Sequence, residues 1–262
     1  MRWNMDKNKI INQYYDEFKV FIKENKMPLI IPVEKSSENN NMDEFAFIEK
    51  DFIRGIAVPI IYNKSLFDYN ENFVKSIFFH EFTHIYDANI RFKNLNEKDF
   101  NTVIDSYSEY HASQIEMGSL IGMKNKNDVL TIASKLKIKS KVFYKNELED
   151  IESYIITPLA DITSIICQDR DAYIDLSDFE FAKQYVKLEK NIFYYYGKYD
   201  LYTKYANKNM PDLLQKNCQN FSDIISKIHN AVKTKNIEPS IYNIRNLLKN
   251  FQDNVYTYFL KR

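Results

Sequence analysis

A chain of 262 residues is long enough to bury one sizeable core, or a catalytic core with a helical lobe docked on it. Its 36 Lys plus Arg balance 36 Asp plus Glu, so no whole-molecule field draws it to nucleic acid or to an anionic membrane. Four Gly and six Pro against 20 Tyr and 19 Phe argue against a turn-rich β-fold and for long helices with aromatic packing. The expected class is α+β, mostly helical. Cys167 and Cys218 are too few and too far apart for a disulfide framework and read as buried thiols. The N-terminus lacks an apolar signal region and no apolar run is long enough to span a bilayer, so a cytoplasmic location without a membrane partner is expected.

Ile10, Ile11, Tyr14, Tyr15, Phe18, Phe21 and Ile22 recur at helical spacing and predict an amphipathic helix over residues 5–25, ending before Pro28. Leu29 to Val33 reads as a short strand, and the polar stretch from Glu34 to Asp43 as an exposed loop. Phe45 to Ile48 and Gly55 to Tyr62 are β-prone, the latter with Ile56, Val58 and Ile60 on one face. Pro59 cannot donate to a ladder, so this strand, or one side of it, belongs at a sheet edge, where an extended peptide can pair with it. A helical pattern follows from Glu71 to Ile90 with Asn70 as its N-cap, then a polar turn, then a second helix from Phe100 to Ile121 closed near Gly122. From Val129 onward the pattern reads as helical throughout, in stretches over Glu147–Cys167, Asp178–Tyr196, Pro211–Val232 and Pro239–Leu260.

His80-Glu81-Phe82-Thr83-His84 lies inside the first of these long helices. Residues four apart are rotated by about 40° and separated by about 6 Å along the axis, so both imidazoles can converge on one tetrahedral ion. Glu81 then points beside the ion, where it can take a proton from a metal-bound water and pass it to a leaving amine. A catalytic zinc needs a third protein ligand and an open position. On the second helix Asp105, Glu109, Ala112, Ser113 and Glu116 share one face, and the small Ala112 and Ser113 would let that helix approach the first closely enough for Glu109 to reach the ion. His111 lies nearly opposite Glu109 and reads as a core histidine. Asp87 shares a face with His80 and His84 and fits a supporting role behind a ligand imidazole. Tyr107 or Tyr110 is expected to offer a phenol to the oxyanion, whereas Tyr194 to Tyr196 read as packing.

The strand, the His-Glu-x-x-His helix and the helix carrying Glu109-x-x-Ala112 resemble compact gluzincin metallopeptidases, and most of all the ImmA/IrrE type. The resemblance covers roughly residues 45 to 121 and lacks the apolar continuation after Ala112, the chain reading Ser-Gln-Ile-Glu-Met-Gly there. It implies one zinc ion on His80, His84 and Glu109, Glu81 as general base, and a repressor or regulator protein as substrate without direct contact to nucleic acid. The expectation is therefore a zinc metallopeptidase with a zincin-like catalytic domain over residues 1–140 and a helical lobe over 141–262. The rival is a non-catalytic, metal-binding interaction protein descended from such an enzyme.

Overall fold

The computed structural model describes residues 6–35, 45–126, 141–166, 178–205, 210–234 and 237–260. Cys167, most of the loop expected over residues 34–43 and the stretch 127–140 lie outside them. The chain is mostly helical with small sheets, as its composition predicts. No helix among the described residues is long and apolar enough to cross a membrane.

Helix α1 (Lys7–Ile22) is capped by the Asp6 side chain, which accepts from the Asn8 amide, and is closed by Lys23 in the left-handed conformation. The seven apolar residues that recur at helical spacing are all buried, while Val20, on the opposite face, is exposed. Phe18 sits edge-on to Phe79 and Phe82 of α2 (Glu71–Tyr86), with ring centroids 5.3 and 5.6 Å apart. Truncating Phe18 to Ala would cost about 3–5 kcal/mol. Asn70 caps α2 by accepting from the Asn72 amide.

Between these helices, β1 (Leu29–Glu34) runs parallel to β3 (Ala57–Tyr62), and β2 (Ala46–Phe47) pairs antiparallel with the end of β3. The order β1-β3-β2 makes β3 the middle strand, not an edge strand. Pro59 is tolerated because only one side of β3 is covered along its length. The Leu29 amide bonds to the Ile56 carbonyl and the Lys35 amide to that of Tyr62, so even-numbered residues of β3 face β1; the Asn63 amide, bonded to the Phe45 carbonyl, faces β2. By alternation Pro59 points toward the β2 side, where pairing begins only at Ile61. The buried face is Val58, Ile60 and Tyr62, while Ile56 lies just outside the strand and is exposed.

The two helices at the heart of the motif are less regular than the sequence predicts. A π-helical turn, Asp87–Arg91, follows α2. Another, Ile104–Ser108, joins α3 (Glu97–Val103) to α4 (Glu109–Leu120), and Gly122 at φ 81 ends the run. The expectation of helix everywhere after Val129 is also corrected. Strands β4 (Lys141–Tyr144) and β5 (Glu147–Asp150) form a hairpin around Lys145 and Asn146, with Lys145 at φ 54. The helix expected from Glu147 begins at Ile151, as α5 (Ile151–Ile166). There follow α6 (Asp178–Tyr205), α7 (Leu213–Asn217), α8 (Ser222–Val232) and α9 (Ile241–Leu260).

Two apolar cores result among the described residues. One joins α1, the sheet and α2; the other joins α3 and α4 to the C-terminal helices and includes the buried Cys218 thiol. Packing therefore does not divide at residue 140, because α4 lies against both α2 and α6. Gly197 makes the second of these contacts possible: a Cβ there would meet the Tyr110 carbonyl oxygen at 2.4 Å and the Ser113 Cβ at 2.7 Å. Ser113, expected to bring α4 close to α2, is thus small for the sake of α6.

Candidate metal centre

On α2 the apolar Phe78, Phe79, Phe82 and Ile85 go into the first core, which turns His80, Glu81 and His84 toward the seam with α4. The two imidazoles stand one turn apart with centroids 5.0 Å from each other. Glu109, the first residue of α4, brings Oε2 to 3.4 Å from His80 Nε2 and 3.6 Å from His84 Nε2. The three groups offer ligand atoms all within 4.8 Å of one another, so they can hold a metal ion.

The surroundings fit such an ion. Glu109 Oε2 is buried and has no hydrogen-bond partner, an arrangement that costs free energy unless something occupies the space it faces. Burial opposes its charge, yet Lys190, His84 and His80 hold the carboxyl well below the usual range, so it is an anion at neutral pH. Lys190 Nζ lies 3.8 Å from its other oxygen.

Each imidazole has its second nitrogen engaged. His80 Nδ1 lies 2.9 Å from Glu116 Oε2. Burial raises the Glu116 carboxyl, but Lys198 and His80 outweigh it and bring the carboxyl down to about 2, so Glu116 is ionised and accepts the His80 Nδ1 proton. Lys198, at 3.5 Å, and the Tyr154 hydroxyl complete the surroundings of Glu116. His84 Nδ1 lies 2.9 Å from Ser108 Oγ, which donates its own proton to Asp87 Oδ2 at 3.0 Å. A hydroxyl whose proton is committed can only accept, so His84 must donate from Nδ1. With Nδ1 committed as donor on both rings, the neutral form of each carries its lone pair on Nε2, the nitrogen that faces Glu109 and the one a metal requires. With no ion in place, burial depresses the His84 pKa to about 4; the same burial opposes charge on His80, but the Glu109 and Glu116 carboxylates carry it up to about 9.

Asp87 is fully buried and reaches His84 through Ser108 rather than directly. Its carboxylate also meets His111 Nδ1 at 3.0 Å and Arg91 at 3.4 Å. His111 turns to Asp87, away from the three convergent groups. Tyr107 corrects an expectation: its hydroxyl accepts from Arg91 at 2.6 Å, behind the site and outside the cleft. Tyr110 is likewise committed, donating to Asp200 at 2.7 Å. The phenol at the site belongs to Tyr194 of α6, with its hydroxyl 3.2 Å from His80 Nε2. The sequence reading places Tyr194 with the packing tyrosines; its spacing of four from Lys190 and from Lys198, on one face of α6, is the local mark that separates it from Tyr195 and Tyr196. Glu116 left a visible signal, its shared face with Glu109.

His80 and Glu81 lie in the floor of a cleft of about 750 Å³. One wall is β2 and the Phe45 that precedes it, and the other is formed by α5 and α6. Comparison with family models, with curated proteins and with solved structures found no match.

Proposed function

We propose that the chain is a zinc metallopeptidase that hydrolyses bonds within protein substrates, in the manner its resemblance to gluzincins implies. The observation that carries this reading is the orphaned Glu109 oxygen facing two imidazole nitrogens, each ring fixed from behind by an acceptor. Two imidazoles and a carboxylate are the donor set of catalytic zinc sites, and the cleft supplies the open side. When bound, a divalent ion there supplies Lewis acidity, polarising a carbonyl and acidifying water.

The remaining work falls to the chain. Glu81, beside the ligands in the cleft floor, accepts the proton of the attacking water and delivers it to the leaving nitrogen. Tyr194 takes the part expected of Tyr107, donating a hydrogen bond from its hydroxyl to the carbonyl oxygen as that oxygen gains charge and keeping its proton throughout. Glu116 and Ser108 keep the imidazoles oriented through both steps.

Elemental analysis of purified protein, paired with a peptide-library digest, tests the reading. Wild-type and Glu81→Gln chains are expected to carry stoichiometric zinc and Glu109→Ala to lose it, with only the wild type cutting peptides. If zinc-loaded wild type cleaves no more than Glu81→Gln, the chain is a metal-binding interaction protein instead.

A further inference from the structure

Along α6, Lys183, Lys187, Lys190, Tyr194 and Lys198 recur at spacings of four, three, four and four, which is one face of a helix, and all five line the cleft. The row changes character with depth. Lys198 is buried 3.5 Å from Glu116 and 4.1 Å from the centre of the Tyr154 ring, and Lys190 lies beside Glu109, so the inner two cations balance carboxylates of the metal centre. Lys183 is exposed and Lys187 half-exposed, the latter 3.4 Å from Asp161. Lys35, over the Phe47 ring, adds a cation on the opposite wall. The mouth of the cleft is therefore basic on a chain whose net charge is zero.

Geometry specifies the anion. Lysines four apart on a helix are offset by about 6 Å along its axis. Alternate side chains of an extended peptide are offset by about 7 Å. Acidic residues at every second position can thus meet successive lysines while the peptide lies along the cleft. Because these cations line the walls above Glu81, the anion that reaches them is part of the substrate, not a membrane surface or a duplex.

We propose that the α6 lysine row selects extended polypeptide segments rich in Asp and Glu, a specificity that rests on the peptidase reading. The test separates the two. Binding of fluorescein-labelled poly-glutamate and poly-lysine peptides is measured on the zinc-loaded Glu81→Gln chain, and cleavage of a peptide library on the wild type. Poly-glutamate is expected to bind more tightly, to weaken as salt shortens the screening length, and to lose about tenfold in affinity when Lys183→Glu and Lys187→Glu are added. The wild-type digest is expected to favour Asp and Glu on one side of the cut, and Lys183→Glu with Lys187→Glu to reverse that bias. Lys9→Glu with Lys249→Glu, on α1 and α9, carries the same change in net charge outside the cleft. The proposal is overturned if poly-glutamate binds no better than poly-lysine, or if the α1 and α9 swap weakens it as much. Binding decides the lysine row, and cleavage decides the peptidase reading.

Discussion

His80 and His84 stand one turn apart on one helix, yet they are held by different means. Behind His80 is an ionised carboxylate, Glu116, itself held by Lys198 and Tyr154 from the C-terminal helices. Behind His84 is a neutral hydroxyl, Ser108, backed by Asp87 within the two π-helical turns. A charge-assisted bond is roughly twice as strong as a neutral one. Orientation of His80 therefore depends on the C-terminal half of the chain, whereas that of His84 is settled locally.

That difference can be broken in order of size. Glu116→Gln should weaken zinc binding about 10- to 100-fold, read by competition with a chelating indicator. Wild-type affinity would show that His80 needs no ionised partner. Gly197→Ala forces α6 away from α4, should cost about 1–3 kcal/mol in urea unfolding, and should lower zinc affinity because Tyr194 and Lys198 move with the helix. Ser108→Ala should lie at the low end of the range, about tenfold in zinc affinity, and add to Glu116→Gln in the double variant, since the two supports share no partner. Strong coupling between them would refute independent anchoring.

The smallest effect concerns Asp200 of α6, which accepts from Tyr110 of α4 and lies against His229 and Lys233 at the end of α8. Burial raises its pKa, but His229, Lys233 and Tyr110 outweigh burial and hold it below its ordinary 3.8. A depressed folded value means that the carboxylate stabilises fully above 3.8 and that this share disappears as pH falls through the folded value. Wild type should therefore exceed Asp200→Asn by about 1 kcal/mol at neutral pH and lose that margin in acid unfolding.

What the sequence made legible was local. Asn70, the His-Glu-x-x-His spacing and the helix bearing Glu109 are short-range patterns, and the groups they predict to converge do so. Pro59 forecast an uncovered strand side, though not that β3 would sit in the middle of the sheet. The hairpin at Lys145 and Asn146 has only a short sequence mark, the β-prone run Val142-Phe143-Tyr144 ahead of a Lys-Asn turn, which a uniformly helical reading of the second half overrides. Both π-helical turns escaped because inserting one residue into a helical turn leaves no compositional mark. Tyr194 lies 114 residues from His80, a pairing that no periodicity argument reaches.

His80 and His84 belong to the helix of one core, while Glu109 begins α4, which packs into both cores. An ion gripped by all three would be a rivet through that joint. Chelation should therefore lower the melting temperature of the whole chain, because α2 and α4 lose the clamp across their seam.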